Sequence, residues 1–421
     1  MTPHRPQTVR QPGKRMTAAF EADASSNTIF WADPARARAF DAWLRSVATT
    51  HGLQADSVRL ASADASFRRY FRVDAAASQA PSRIIMDAPP DKEDCKPFVK
   101  VAALMQDAGL SAPEVLAWDE AAGFLLLSDL GAQTMMDALT HDMCPPPGLD
   151  AIAQPTPAHS ALYLDAADAL ISWQLASKPD VLPPYDDALL SRELALFPEW
   201  YVGKYRGFTL DAGQQSTLDA AFTQIKASNL QSLDGARVYV HRDFMPRNLM
   251  MPPQANPAGL FKEGPRDRPS RTAGAAAPSG GSVVHEVTSV GVLDFQDAVY
   301  GPITYDIASL MRDAFLTWEE DFVLDITVRY WQKARKAGLP VGDDFGEFYR
   351  AVEWMGLQRH LKILGIFARL TLRDGKPKYL ADTPRFVKYV RNTCARYRQL
   401  GPLMVLLDAI EGNETRVGYT F

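Results

Sequence analysis

The segment His241-Arg242-Asp243-Phe244-Met245-Pro246-Arg247-Asn248 decides how the rest of the chain is interpreted. It follows the β-branched and aromatic run Val238-Tyr239-Val240, and Val292-Leu293-Asp294-Phe295 comes later. A carboxylate can accept the proton of an attacking hydroxyl, and amide and carboxylate oxygens are the hard ligands that Mg²⁺ prefers. We therefore predict Asp243 as the catalytic base and Asn248 and Asp294 as metal ligands. The alternative is three unrelated polar residues near strand ends.

The octet and the later Leu293-Asp294-Phe295 resemble the catalytic signature of the protein-kinase-like phosphotransferases. This resemblance implies ATP as donor and Mg²⁺ on its phosphates. It also implies an α+β, protein-kinase-like two-lobed fold with a small antiparallel-sheet N-lobe and a mostly helical C-lobe. Residues 34–130 are predicted to be the nucleotide-binding N-lobe, and residues 131–421 the catalytic and substrate-binding C-lobe.

Composition is that of an ordinary globular protein, with 47% hydrophobic and 23% charged residues in 421. The net charge of −5 argues against a nucleic-acid partner, because such proteins usually carry a basic excess. No stretch is long enough for a membrane span. The three separated cysteines, Cys95, Cys144 and Cys394, match no metal-ligand spacing and indicate a reducing compartment. We expect a cytoplasmic monomer with no membrane partner.

Two segments are predicted to be disordered. Residues 1–33 begin with a basic, Pro-rich stretch, for which an organelle-targeting peptide is the alternative. Residues 252–282 are rich in Pro, Gly, Ala and Ser and contain few large apolar side chains. Such an insertion explains the long separation of Asp294 from Asn248, and the strands that flank it can still pair as a hairpin.

The amino-terminal part begins with a predicted helix from Pro34 to about Thr49, followed by a strand, turn and strand over residues 62–73. In a kinase-like lobe this hairpin lies over the nucleotide phosphates. It contains no glycine, but its turn carries Ser66, Phe67 and Arg68, which we predict to contact the nucleotide. An ordinary polar turn with solvated arginines is the alternative.

A kinase keeps a phosphate-binding lysine on the next strand, which is predicted at Arg83-Ile84-Ile85-Met86-Asp87. Met86 occupies that position here. The following helix, from near Pro97 to near Gly109, contains no Glu for the usual ion pair. Two explanations remain open. The strand register is different, or another cation replaces the lysine, with these candidates: Lys92, Lys96, Lys100 and Arg72.

A second predicted hairpin pairs residues 115–118 with residues 123–127 and leads into Ser128-Asp129-Leu130. An apolar strand that opens on a short polar stretch is typical of a hinge between lobes. We predict that Ser128, Asp129 and Leu130 contact the nucleotide, whose adenine edge can bind exposed backbone groups. A plain buried strand is the alternative for residues 125–127.

Helices dominate the remainder, including predicted stretches at 161–176, 189–205, 218–230, 318–338, 345–372 and 385–410. Glu199 and Trp200 lie where Pro198 interrupts the second of these, and we predict that both contact the substrate. A further helix begins after Gly301-Pro302. Asp306 in its first turn can brace the catalytic loop, although helix capping is the favoured interpretation. Arg312 and Asp313 follow it as predicted substrate contacts.

Taken together, the octet, Leu293-Asp294-Phe295 and the segment from Gly301 to Ala308 resemble the aminoglycoside phosphotransferase and choline kinase superfamily. Three further segments narrow the resemblance to the anomeric N-acetylmuramate/N-acetylglucosamine 1-kinases of peptidoglycan recycling: residues 64–72, 86–90 and 358–369. This implies ATP-dependent phosphorylation of the anomeric hydroxyl of a small amino sugar.

Arg312, Arg359 or His360 can then meet the lactyl carboxylate of muramate, although each is more often a surface or core-capping residue. The runner-up function is another small-molecule kinase, for an aminoglycoside, choline or a similar alcohol. A pseudokinase acting as a binding module is a third possibility, because the lysine is not visible; the intact set of Asp243, Asn248 and Asp294 argues against it.

Overall fold

The computed structural model describes residues 29–63, 67–76, 81–141, 152–252 and 290–413. Its amino-terminal part contains a five-stranded antiparallel sheet, and most of the remainder is helical. The predicted α+β class is confirmed. Most of the predicted extension at 1–33 and of the insertion at 252–282 lies outside the described residues, and the division into lobes at residue 130 stays a prediction. No helix among the described residues is long and apolar enough to cross a membrane.

The sheet has the strand order β1-β2-β3-β5-β4. Its strands are β1 Arg59–Ala63, β2 Arg69–Val73, β3 Arg83–Asp87, β4 Val115–Asp119 and β5 Phe124–Ser128. Strand β3 has the predicted bounds, and Met86 pairs with Tyr70 on one side and Leu125 on the other. Because Met86 is also fully buried, a different register does not explain the missing lysine.

Helix α1 (Pro34–His51) covers one face of this sheet. Its Asp33 N-cap accepts a hydrogen bond from the Ala35 N–H at 2.8 Å. The apolar side of α1 packs against alternate residues of the strands, including Phe71 and Phe124. Arg36 of this helix also reaches Asp87 at the end of β3. The other face of the sheet packs against helix α2 (Lys96–Asp107).

Nine more helices follow: α3 Met135–Thr140, α4 Pro157–Leu175, α5 Asp187–Leu196, α6 Ala212–Gly235, α7 Thr304–Met311, α8 Glu320–Lys336, α9 Phe345–Leu372, α10 Thr383–Arg396 and α11 Gly401–Glu411 in the described residues. The interruption predicted at Pro198 is a π-helical segment, Phe197–Tyr205. Helix α9 has the predicted bounds and is buried along most of its length. It is therefore the central support of the helical part.

Two short strand pairs frame the catalytic octet. Strand β6 (Arg237–Val240) pairs with β9 (Val299–Pro302), and β7 (Leu249–Met250) pairs with β8 (Gly291–Val292). The second pair confirms the hairpin predicted across the insertion. Strand β9 was not predicted, because Gly301 and Pro302 indicate a loop. Pro302 is tolerated because β9 belongs to a two-stranded sheet and is therefore an edge strand, where a missing N–H can be accommodated.

Candidate active site

The catalytic loop turns sharply at Arg242, whose φ is 78°. For a residue with a Cβ atom such a conformation costs of order 1–3 kcal/mol and persists only where surrounding contacts fix it. Here the Arg242 N–H donates to Asp306 Oδ1 at 3.0 Å, and the Arg242 carbonyl accepts from Arg359 Nη1 at 2.6 Å. Helices α7 and α9 thus hold the backbone that carries Asp243.

Asp306 lies fully buried in the first turn of α7 and makes no side-chain cap to that helix. Its other carboxylate oxygen, Oδ2, accepts the His241 N–H at 2.6 Å. The helix-capping interpretation is therefore wrong, and the bracing role considered beside it is confirmed. Burial raises the pKa of Asp306 despite the N–H donors that favour its charged form.

A buried carboxylate, Glu193 of α5, lies beneath the loop. It accepts from Arg242 Nη2 at 2.6 Å and from Lys362 Nζ at 2.8 Å. Tyr185 Oη and Gln358 Nε2 donate to it at 2.7 and 2.9 Å. Burial alone would raise the pKa of Glu193, but the charges of Lys362 and Arg242 lower it to about 2. We call these five residues the Glu193 cluster; within it the carboxylate is ionised and both cations are paired.

His241 joins the octet to the segment that carries Asp294. Its Nε2 donates to the Leu293 carbonyl at 2.9 Å, and its Nδ1 accepts from the Asp243 N–H at 3.2 Å. Those partners assign the neutral tautomer with the proton on Nε2. Burial lowers the pKa of His241, in agreement with a neutral ring.

The Asp243 carboxylate is kept ionised by its surroundings. Burial would raise its pKa, but the charges of Lys362 and Arg359 hold the pKa below the usual range of an aspartate. A charged carboxylate at neutral pH is the protonation state that a general base requires. The role of Asp243 remains a prediction, and its environment is compatible with that role.

Asn248 and Asp294 lie side by side, as their proposed common ligand requires. Asn248 Nδ2 donates to the Asp243 carbonyl at 2.9 Å and approaches Asp294 Oδ2 at 3.4 Å. Both contacts use the amide nitrogen, so the amide oxygen is the atom left for a cation. The Leu293 N–H donates to the Asn248 carbonyl at 2.9 Å and continues the β7–β8 pairing to this point.

This arrangement fits Mg²⁺, which takes one or two protein oxygens and completes its shell with water and phosphate. Asp294 has a φ of 64°, a region that Asp tolerates better than most residues. Gln296 Nε2 donates to its Oδ1 at 2.8 Å. The described part of the chain contains no group of three or more His, Cys, Asp or Glu that could form an all-protein metal cage.

The predicted hinge is tied to the sheet by Asp129. Arg72 of β2 donates to this carboxylate from Nε at 2.6 Å and from Nη2 at 3.0 Å, and Ser82 Oγ donates at 2.6 Å. The Asp129 side chain therefore binds the predicted hinge to Arg72 and Ser82. Ser128 Oγ accepts the Glu114 N–H at 2.8 Å, which fixes the start of the hinge.

The three turn residues between β1 and β2 that were predicted to contact the nucleotide differ in how far the structure describes and buries them. Ser66 lies outside the described residues. Phe67 is 61% exposed, whereas Arg68 is buried and forms an ion pair with Glu93 at 3.2 Å. The two neighbours therefore differ in the exposure of their side chains, although Glu93 also accepts the Phe67 N–H at 3.1 Å.

Four of the predicted substrate residues lie on or next to two helices: Arg359 and His360 on α9, and Arg312 and Asp313 directly after α7. Arg359 contacts the catalytic loop, and the His360 ring stacks on Tyr389, with centroids 4.7 Å apart. Burial lowers the pKa of His360 to about 3, so the ring is neutral. Arg312 pairs with Glu320 at 2.7 Å. The two arginines are each held by a different partner and His360 is uncharged, so the three side chains do not form one cationic carboxylate-binding site.

Asp313 is buried, and its Oδ1 accepts the Ala314 N–H at 2.5 Å. Burial raises its pKa to about 6. Glu199 and Trp200 lie elsewhere, on the π-helical segment, where Lys204 contacts both: its Nζ is 2.7 Å from Glu199 Oε1 and 3.5 Å from the Trp200 ring centroid. Their role in substrate binding remains a prediction.

Sequence reasoning missed Glu193 and the role of Lys362. Glu193 lies among the buried residues of a short helix, next to Leu194, and Lys362 lies in the buried run of α9. Because a buried charge requires a partner, a Glu and a Lys on otherwise apolar helix faces were the available signal.

Comparisons with known proteins identify a family for this chain. The sequence matches the phosphotransferase enzyme family (APH) over residues 57–261 and 282–344. An N-acetylmuramate/N-acetylglucosamine kinase from Neisseria meningitidis is 43% identical over 384 residues, which cover 90% of this chain and 97% of that relative. One from Pseudomonas aeruginosa is 44% identical over 351 residues, or 83% of this chain and 87% of the relative.

Among solved structures, choline kinase from Cryptosporidium parvum has a TM-score of 0.51 at 11% sequence identity. The match covers 86% of this chain and 98% of that chain. Ethanolamine kinase from Plasmodium vivax has a TM-score of 0.50 at 10% identity, covering 82% of this chain and 85% of that one. At such identities the agreement concerns the fold, and it confirms the predicted kinase-like two-lobed architecture.

Proposed function

The chain belongs to the phosphotransferase enzyme family, and on that premise we propose that it transfers a phosphoryl group from ATP to the anomeric hydroxyl of N-acetylmuramate and N-acetylglucosamine. The choice of acceptor is supported by relatives of that name at 43% and 44% identity. The reaction would belong to the recycling of peptidoglycan sugars. A cytoplasmic location is part of the proposal and is supported by Cys95 and Cys394, which are both buried and free.

The observation that carries the proposal is the fixed arrangement of Asp243, Asn248 and Asp294. Asp243 would accept the acceptor's proton at a carboxylate oxygen as the hydroxyl attacks. A carboxylate with a lowered pKa is a weak base, so it suits an acidic hydroxyl better than an ordinary alcohol. The anomeric hydroxyl of a sugar is the more acidic kind.

Asn248 and Asp294 would hold Mg²⁺, which neutralises charge on the phosphates when it is bound. The remaining work of the protein is positioning, which is the main contribution of the protein in phosphoryl transfer. The arrangement is compatible with a positioning role, because the loop is held without substrate by three contacts to Arg242, from Asp306, Arg359 and Glu193.

The test is an assay of ATP consumption with Mg²⁺ and four acceptors: N-acetylmuramate, N-acetylglucosamine, kanamycin and choline. Phosphorus NMR of the sugar product should show a phosphate coupled to the anomeric proton. A 6-phosphate would refute the position of transfer and spare the kinase activity. Turnover of kanamycin or choline but of neither sugar would overturn the acceptor, and no turnover with intact ATP binding would favour a binding module.

A further inference from the structure

A buried arginine occupies the end of the sheet where a kinase lysine is missing. Kinases place a lysine on strand β3 and pair it with a glutamate of the following helix, so that the ammonium group binds the nucleotide phosphates. Met86 stands on β3 here with no exposed surface. The phosphates of a donor nucleotide would therefore need a cation from another part of the chain.

Two arginines of strand β2 are committed to structural ion pairs. Arg69 binds Asp87 at 2.6 Å, and the same carboxylate binds Arg36 of α1 at 2.6 Å. Arg72 binds Asp129 at the hinge with two of its nitrogens. These pairs fasten helix α1 and the hinge to the sheet, so neither arginine can turn to a ligand without breaking them.

The candidate lysines lie on the outside. Lys96 is 68% exposed and pairs with Glu120 at 2.9 Å. Lys100 donates from Nζ to the Val181 carbonyl at 2.5 Å, and Lys92 lies over the exposed ring of Phe67. Each of these exposed lysines already contacts a partner outside the strands of the sheet: Glu120, the Val181 carbonyl or the Phe67 ring.

Arg68 differs from the three lysines in its burial, and from Arg69 and Arg72 in its partner, which lies beside helix α2. It immediately precedes β2, it is 8% exposed, and its Nε lies 3.2 Å from Glu93 Oε2. The second Glu93 oxygen accepts the Phe67 N–H at 3.1 Å, so the carboxylate fixes both the side chain and the backbone of the hairpin. Glu93 itself precedes helix α2 by only a few residues.

Helix α2 connects this ion pair to the metal ligands. Its Phe98 packs on Phe295, with ring centroids 4.9 Å apart, and Phe295 follows Asp294 in the chain. In kinases the lysine–glutamate pair performs the same connection between the phosphates, the helix and the metal-binding segment.

We propose that Arg68, held by Glu93, binds the phosphates of the donor nucleotide in place of the β3 lysine, and that Glu93 is its positioning residue. This inference rests on the proposed use of ATP. A guanidinium group has five N–H donors in a planar fork, so it can bind a carboxylate and phosphate oxygens at once. Arg68 would therefore supply the positive charge of the missing lysine, and Glu93 would orient it as the helix glutamate orients the lysine in kinases.

The test compares equilibrium binding of ADP and of adenosine by the full-length protein, measured by calorimetry in the presence of Mg²⁺. Arg68→Ala should weaken ADP binding by about 10- to 100-fold, the range expected for a lost charge-assisted hydrogen bond. Adenosine has no phosphate, so its affinity should change by less than about twofold. Arg68→Lys should recover part of the ADP affinity, and Glu93→Gln should lose less of it than Arg68→Ala does.

Arg59→Ala is the matched control, because Arg59 forms an exposed ion pair with Asp74 at 2.8 Å in the same sheet; it should bind both ligands as the wild type does. If Arg68→Ala does not fold, Arg68→Met fills the same space without the charge. If the Arg68 variant keeps its ADP affinity, or loses ADP and adenosine affinity equally, the inference about Arg68 is overturned while the proposed ATP donor is not. A wild type that binds neither ligand would overturn the proposed ATP donor as well.

Discussion

The helical side of the cleft and the sheet side hold their charged residues in different ways. Beneath the catalytic loop, Glu193 binds Lys362 across 169 residues of sequence, and its side chain is 5% exposed. On the sheet side, Asp129 binds Arg72 across 57 residues; the Asp129 side chain is also 5% exposed, but that of Arg72 is 21% exposed, against 9% for Lys362. The loop that carries Asp243 is thus fixed by side chains from distant helices, whereas the hinge depends on a pair that is closer in sequence and whose cation is more exposed.

We predict that this difference reflects separate tasks of the two sides. Positioning within a fraction of an ångström is what phosphoryl transfer needs from the catalytic loop. If the sheet side binds the nucleotide as predicted, it must admit and release a ligand at each turnover, and a partly exposed pair of moderate strength is compatible with that. Four variants test whether the two sides differ in this way.

The base should show the largest effect. Asp243→Asn keeps the shape of the side chain but cannot accept a proton, so turnover should fall by about 10²–10⁴-fold. Melting temperature and ADP affinity should be retained. The control is Asp297→Asn, an exposed carboxylate in the same segment as Asp294, which should keep wild-type turnover. Near-normal turnover of Asp243→Asn would remove Asp243 from the role of base.

Glu193→Gln tests the helical side. The substitution removes the carboxylate that Arg242 and Lys362 share and leaves two buried cations without a counter-charge. It should therefore lower the unfolding free energy near pH 7 by about 3–5 kcal/mol. The pKa of Glu193 falls from 4.5 to about 2 on folding, so its stabilisation is present above pH 4.5 and is lost as the pH falls through about 2.

Urea unfolding of wild type and variant at several pH values measures this difference. The difference in unfolding free energy should be full above pH 4.5 and should narrow toward pH 2. Glu199→Gln is the control, since that carboxylate is 55% exposed beside Lys204 and such pairs contribute about 1 kcal/mol or less. A difference that stays constant over the whole range would show that the Glu193 charge is not its source.

Asp129→Asn tests the sheet side. It should lower the unfolding free energy by about 1–3 kcal/mol, less than Glu193→Gln, because water reaches the Arg72 side chain. Urea unfolding of both variants under one condition gives the comparison directly. A loss equal to or greater than that of Glu193→Gln would remove the proposed difference between the two sides.

The insertion should have the smallest effect. Replacing residues 252–282 by a short Gly/Ser linker leaves β7 and β8 able to pair, and loop length changes closure entropy by only about 0.6 kcal/mol per doubling. Melting temperature and turnover should be nearly unchanged. A large loss of turnover with an unchanged melting temperature would mean that the insertion takes part in substrate binding.

Contiguous signals allowed the bounds of β3 and α9 to be predicted, and they singled out the octet and Asp294 as candidates. Each depends on residues that are neighbours in the chain or repeat with the period of a helix or strand. The Glu193 cluster could not be predicted in this way, because its charged members meet only after α5 and α9 have packed together. The burial of Arg68 could not be predicted for the same reason. An arginine in a turn is expected to be solvated, and its partner Glu93 lies in another segment of the chain.

The pairing of Arg242 with Glu193 has a regulatory consequence. In protein kinases that are switched on by phosphorylation, arginines bind a phosphate that is added to the activation loop, and the loop becomes ordered only then. Here a carboxylate built into helix α5 already occupies the arginine of the catalytic octet, at 2.6 Å. The Arg242 side chain is therefore already paired in the folded chain, and no added phosphate is needed to hold it in place.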